Sequence, residues 1–111
     1  MIANKTIRTF LTEEAKQQYI KLVENKQRTI IDAIHRIKNI LKVNPQHGNP
    51  IAKRKFPKKY TKKVHNLYRA PLPNFWRLLY TIEGNEKETF IFILQICNHK
   101  EYNKLFNYRK S

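Results

Sequence analysis

The sequence predicts an α+β fold: two N-terminal helices packed on one face of a small antiparallel sheet, with a short helix after the last strand. Apolar residues recur at helical spacing over 11–41, then alternate or run continuously over 64–96. Turn-forming clusters at 44–50, 71–74 and 83–86 separate these stretches. At 111 residues, 41% apolar and with only two glycines, the chain is expected to form one domain, 1–111, with a real core.

Thr12 reads as the N-cap of the first helix, with Glu13 and Glu14 at the positive end of the helix dipole. Leu11, Ala15, Tyr19, Leu22 and Val23 follow helical spacing, and Lys16, Gln17, Lys21 and Glu24 fall outside that stripe. After a polar break at 25–28, Ile30, Ile34, Ile37 and Leu41 share one face of a second helix, widened by Ile31, Ala33 and Ile40. This helix stops before Pro45, because a residue preceding proline disfavours the helical region. Two helices in antiparallel contact are the expected arrangement, with one long bent helix as the alternative. Either way both stripes need a cover.

Residues 45–50 form a turn cluster. The following stretch, 51–63, carries seven Lys or Arg between 53 and 63, and Pro57 disfavours a regular central strand. A short edge strand or a loop crossing the sheet, lysines in solvent, is expected there. A strand over 64–70 leads through Pro71, Leu72, Pro73 and Asn74 to a strand over 75–82. Alternation sends Trp76, Leu78, Tyr80 and Ile82 to one face and Phe75, Arg77, Leu79 and Thr81 to the other. The bulkier first set covers the helices, so Arg77 stands on the face away from them. Residues 83–86 make a hairpin turn, and 88–96 is a nearly continuous apolar strand, as a central strand would be. Within 98–108, Leu105 and Phe106 are spaced from Tyr102 as on a short helix.

The formal net charge is +15, and its distribution is one-sided. No acidic residue occurs between Asp32 and Glu83, while twelve Lys or Arg do. Such a region repels itself unless anions neutralise it, so a polyanionic partner is expected, nucleic acid foremost. An acidic protein would satisfy the same field, and a merely solvated basic surface is the bland alternative. The single cysteine, Cys97, excludes an internal disulfide, and four scattered histidines show no metal-ligand spacing. Neither a metal nor another cofactor is expected, and the default setting is reducing and cytoplasmic. Residues 1–10 carry Lys5 and Arg8 without a continuous apolar segment, so no signal peptide is expected. The longest apolar run, 90–94, is too short to span a bilayer, and no membrane partner is expected.

An unpaired buried charge is costly, so Arg77 must face water, a partner charge or a ligand. In a meander, Arg69 and Arg77 on neighbouring strands, the basic group Lys53, Arg54, Lys55, Lys58 and Lys59, and His99 with Tyr102 could share one face. That set suits a phosphodiester. Arginines stabilise charge developing on phosphate, and a histidine or tyrosine moves protons. The structural alternatives are a pairing of Arg77 with Glu86 or Glu88 across the hairpin, and His99 and Tyr102 as ordinary capping and packing residues. Cys97 reads as a small core residue, and the isolated His35, His47 and His65 receive no role.

Tyr68-Arg69, then Phe75-Trp76-Arg77-Leu78-Leu79-Tyr80-Thr81-Ile82, then His99-Lys100-Glu101-Tyr102, resembles the RelE/ParE toxin superfamily, and in particular its archaeal RelE-type branch. The likeness extends over nearly the whole chain and implies the RelE-like microbial RNase fold. It implies a toxin of a type II toxin–antitoxin system: a metal-independent endoribonuclease that cleaves mRNA on the ribosome by attack of a 2′-hydroxyl on the neighbouring phosphate. Carried over residue by residue, Arg77 falls on the arginine that stabilises the transition state, Tyr102 on the C-terminal catalytic tyrosine, and His99 on a histidine that some members use as acid or base. Arg69 would be a second phosphate contact, and Lys53 and Lys55 correspond to lysines of the first strand. The implied partners are mRNA, the ribosome and a cognate acidic antitoxin. Two alternatives stand beside this reading: a ParE-like gyrase inhibitor, and a non-enzymatic basic nucleic-acid-binding protein.

Overall fold

Leu11, expected to begin the helical stripe, is instead the last residue of a strand. A computed structural model describes residues 6–107, so Tyr108, at the end of the expected terminal stretch, lies outside the described residues. The chain runs β1 (Thr6–Leu11), α1 (Glu13–Glu24), α2 (Arg28–Val43), β2 (Asn49–Pro50), β3 (Tyr68–Pro71), β4 (Arg77–Gly84), β5 (Glu88–Cys97) and α3 (His99–Leu105). Short 3-10 turns occupy Lys53–Lys55, Lys58–Tyr60 and Pro73–Phe75.

The sheet order is β1-β5-β4-β3-β2. The three ladders from β2 to β5 are antiparallel, but β1 lies parallel to β5, from Thr6 opposite Glu88 to Leu11 opposite Ile93. The sheet is therefore mixed rather than purely antiparallel, and the α+β class stands. Ile7 and Leu11 of β1 pack into the helix-side core, while Arg8 and Phe10 are exposed. Thr12 caps α1 as expected, accepting from Ala15 N at 3.3 Å. Its hydroxyl also lies 3.2 Å from both Ile93 O and Leu94 O, which fastens the start of α1 to the central strand.

The two helices are separate, and their stripes meet the sheet face that alternation assigned to them. Ala15, Leu22, Ile30, Ile34 and Leu41 form one core with Leu78, Tyr80, Ile91, Ile93 and Ile96, and Trp76 and Ile82 pack at its edge. The Tyr80 ring stacks on Tyr68 of β3, with centroids 5.2 Å apart. Ile93 and Ile96 reach the same face although three residues apart, because a bulge at the Leu79/Tyr80 step pairs Gln95 with Leu79 and Ile93 with Tyr80. Leu94 and Cys97 are thereby turned together to the opposite face.

That opposite face is not open at the Arg77 end. A second apolar cluster, Tyr60, Leu67, Leu79, Leu94, Cys97, Tyr102 and Phe106, lies there beneath the basic crossing segment and α3. Ile51 and Phe56 of the segment pack against it, and the lysines of 53–63 are exposed. Cys97 is buried, and burial pushes its thiol from 9.0 up to about 12.

Two strands start later than expected, for local reasons. Ahead of β3, the Asn66 amide takes the place of a backbone ladder, accepting from Ile82 N and donating to Ile82 O, both at 2.8 Å. Ahead of β4, Asn74 (φ 58°) and Phe75 (φ 65°) are both left-handed, so Phe75 leaves the sheet and β4 begins at Arg77. Arg77, the third residue of the strand expected over 75–82, therefore opens it instead. At the far end of the hairpin, Gly84 (φ 147°) allows a turn in which a Cβ would meet Glu88 O at 2.2 Å.

Candidate active site

Register decides which groups meet Arg77. It lies opposite Pro71 on β3 and Cys97 on β5, at the strand end from which α3 departs. Glu86 and Glu88 lie at the other end of the hairpin, where Gly84 pairs with Thr89. Glu88 meets Arg8 of β1 instead, at 3.5 Å. The structural pairing of Arg77 with Glu86 or Glu88 is thus overturned by the length of the hairpin itself.

Tyr102 is directed into the second cluster by α3, whose N-terminus is closed by a reciprocal pair: Glu101 N donates to Asn98 Oδ1 and Asn98 N to Glu101 Oε1, each at 2.9 Å. The Tyr102 ring stacks on Phe106, centroids 4.4 Å apart. Arg69, reaching from β3, donates from Nη1 to the Tyr102 hydroxyl at 2.9 Å. The Arg77 guanidinium carbon lies 4.8 Å from the centroid of the same ring, and that of Arg69 5.9 Å. Arg77 Nη1 also donates to Phe75 O. The exposed Phe75 ring meets His99 edge-on, at a centroid distance of 6.2 Å. Arg69, Tyr102, Arg77, Phe75 and His99 thus form one connected group.

The group is cationic, and among the described residues no carboxylate pairs with its arginines. Both arginines are half-buried, and among the described residues the ion pairs are Arg8–Glu88 and Lys59–Glu14, neither of which involves them. Two guanidinium groups around one tyrosine, with no carboxylate among the described residues to neutralise them, favour an anion bridging both. Reach separates the two residues considered for proton transfer. His99 is exposed in the first turn of α3, whereas Tyr102 is only 3% exposed.

The basic segment contributes differently from the arginines. Lys53, Arg54, Lys55 and Lys58 are exposed along the segment that covers this face, and no hydrogen bond or ion pair among the described residues engages their side chains. Lys59 is held by Glu14 of α1 at 2.7 Å and lies over its neighbour Tyr60, so it is committed elsewhere. A separate recess lined by Tyr19, Val23, Lys26, Arg28, Ile31, Asp32 and His35 opens between α1 and α2 and shares no residue with the arginine group. Among the described residues no cluster of three or more His, Cys, Asp or Glu could hold a metal, and no helix is long and apolar enough to cross a membrane.

Sequence reasoning missed Phe75, which it placed in the strand. The signal available was slight: asparagine tolerates the left-handed region after Pro73, but a phenylalanine there breaks the usual pattern.

Residues 10–101 match the family model of the ParE toxin of type II toxin–antitoxin systems, parDE. The chain belongs to the ParE toxin family. The matched span contains Arg69, Arg77 and His99 and ends one residue before Tyr102. Among solved structures, the YoeB/ParE toxin from Agrobacterium tumefaciens is similar in fold, with a TM-score of 0.63 and 12% identity over 83% of this chain and 98% of that one. No curated protein matches the sequence. The superfamily resemblance and the α+β fold are therefore both borne out. As a member of the ParE toxin family, the chain has a cognate antitoxin as its implied partner.

Proposed function

We propose that this toxin is a metal-independent endoribonuclease whose substrate is mRNA on the ribosome. The observation that supports this reading best is the arrangement of Arg69 and Arg77 around Tyr102, with no carboxylate partner among the described residues. A phosphodiester lying against both guanidinium groups would receive two charge-assisted donors, whose benefit grows as charge develops on the phosphoryl oxygens. His99, on the surface beside Phe75, takes the proton of the attacking 2′-hydroxyl. The O2′–P bond forms, the P–O5′ bond breaks, and the departing O5′ takes a proton from solvent, leaving a 2′,3′-cyclic phosphate. Tyr102, buried beneath the arginines, serves in this scheme to hold them in register.

The exposed Lys53, Arg54, Lys55 and Lys58 extend the positive surface and supply sequence-independent attraction to RNA. An acidic antitoxin would compete for the same surface. The test is to add the purified protein to translating ribosomes and map mRNA 5′ ends. Cleavage by the wild type that is lost in Arg77→Ala is the expected result, and intact mRNA in both would overturn the reading.

A ParE-like gyrase inhibitor is the second reading, favoured by the family match over residues 10–101. Gyrase-dependent DNA cleavage by the protein, with mRNA untouched, would establish it instead.

A further inference from the structure

Phe75 carries two unfavourable features at once. The residue is 72% exposed, the highest value for a Phe, Tyr or Trp among the described residues, and its backbone is left-handed at φ 65° directly after Asn74 at φ 58°. Asparagine visits that region readily; a bulky aromatic does so only where the surroundings impose it. Here they do. Leu72 N donates to Trp76 O at 2.8 Å, Trp76 N to Pro73 O at 3.2 Å, and the Arg77 guanidinium to Phe75 O. The turn holds the ring outward, and among the described residues it joins neither core cluster.

The other large apolar side chains exposed among the described residues differ in setting. Phe10 is stacked on Phe92 at 5.5 Å, and Ile20, Val23 and Val43 lie on the helical segments. Phe75 alone stands within the cationic group, fixed through its carbonyl to Arg77 and edge-on to His99. A single flat ring beside two arginines that have no carboxylate partner among the described residues is too small for a protein-docking patch, but it matches the way single-stranded nucleic acid is bound: cations follow the backbone and aromatic rings accept the bases.

We infer that Phe75 is a stacking platform for a nucleobase of the bound RNA, one that flanks the phosphate held by Arg69 and Arg77. This rests on the RNA-cleaving reading above and adds a base subsite to it. Stacking of this kind is tolerant of sequence, so the subsite sets strand position rather than base identity. The left-handed turn presents the ring without a conformational search by the loop.

The test uses a short, non-cleavable 2′-O-methyl oligonucleotide series with one 2-aminopurine stepped along the strand. Wild-type protein is expected to bind it and to quench 2-aminopurine at one position, with Phe75→Tyr behaving alike. Phe75→Leu is expected to bind about tenfold more weakly and to lose that quenching. Phe75→Gly should raise Tm, because glycine accepts the left-handed backbone, and yet bind as poorly as the leucine variant. A merely structural turn residue would change Tm in these variants and leave binding and quenching at wild-type values, and that result overturns the inference. If the wild type cleaves RNA and Phe75→Leu retains both signals, only the base subsite falls. If the wild type neither binds nor cleaves RNA, both readings fall. Weakened binding of an acidic protein partner by Phe75→Leu, with RNA affinity unchanged, would assign the ring to protein docking instead.

Discussion

Arg77 stands over the face of Tyr102, its guanidinium carbon 4.8 Å from the ring centroid. The ring belongs to a helix that begins only after the last strand, and the arginine opens the strand before it, so neither is fixed until β5 and α3 have folded back. With Arg69 donating to the hydroxyl of the same ring, two like charges are held close by one aromatic group. Cation–π attraction, about 0.5–2 kcal/mol per pair, offsets part of their repulsion, and a bound anion would offset more.

Tyr102→Phe keeps the ring under Arg77 and removes the group that accepts from Arg69. A stability loss of about 0.5–1.5 kcal/mol is expected from the lost hydrogen bond. Tyr102→Ala also empties a packed position against Phe106 and should cost about 3–5 kcal/mol. Urea unfolding of the three proteins measures both values. If Tyr102 holds the arginines rather than transferring a proton, cleavage by Tyr102→Phe should keep the wild-type pH profile at a reduced rate.

Arg77→Lys should not rescue Arg77→Ala. An ammonium lacks the planar fork that donates to Phe75 O while lying over the Tyr102 ring. Both variants are expected to lose cleavage on the order of a hundredfold. Initial rates on a ribosome-bound mRNA, with Tm as the control for folding, check this.

Gly48→Ala should reach the site through the sheet. A Cβ there would lie 2.8 Å from Tyr80 Oη and 2.9 Å from Arg69 O, while Gly48 N already donates to Tyr80 Oη at 2.9 Å. Relief requires β2 or β3 to shift, and Arg69 is on β3. Lower Tm together with weaker RNA binding is expected. Tyr80→Phe leaves Gly48 N and Pro45 O without their partner and should cost about 1–3 kcal/mol.

Stability should fall at alkaline pH. Burial pushes the Tyr80 hydroxyl from 10.0 to about 12 and the Cys97 thiol from 9.0 to about 12. Both groups are neutral when protonated, so above the unfolded-state values the unfolded chain has released protons that the folded chain still holds. Their contribution is complete below about pH 9 and disappears as the pH rises towards 12. Denaturant midpoints at pH 8, 10 and 11 should decline in order, and Cys97 should resist alkylation at pH 8 until the protein unfolds.

Removing Lys58 and removing Lys59 should differ. Lys58→Ala is expected to reduce the salt dependence of single-stranded RNA binding by roughly 0.7 in log–log slope if it contacts one phosphate. Lys59→Ala should change it less, because Glu14 already holds that ammonium at 2.7 Å. Glu14→Gln frees Lys59 and should steepen the slope. Titrations across a range of salt concentrations separate these outcomes.

Much of the fold was legible because burial imposes period. The α2 stripe of Ile30, Ile34, Ile37 and Leu41, and the division of β4 into Leu78 and Tyr80 against Arg77 and Leu79, follow from geometry that any buried helix or strand must obey. β1 was missed because its signal is only six residues long and its partner β5 begins at Glu88, far along the chain. Leu11 fits a helical stripe as well as a strand, and only the parallel ladder decides. The near-continuous apolar run of β5 hid the bulge at Leu94–Gln95, since side chains buried on both faces carry no alternation to break.

By itself the sequence determined the α+β class, the cap at Thr12, the face on which Arg77 lies, and a positive field calling for an anion. These depend on local spacing and on composition, which neighbouring residues along the chain already specify. Only the tertiary structure decided that Glu88 belongs to Arg8, that Lys59 belongs to Glu14, and that Arg69 and Arg77 share Tyr102. It also took Phe75 out of the strand and set it, exposed, beside His99. Those pairings depend on strand register, on one bulge and on two left-handed residues, and each is fixed by contacts between segments far apart in sequence.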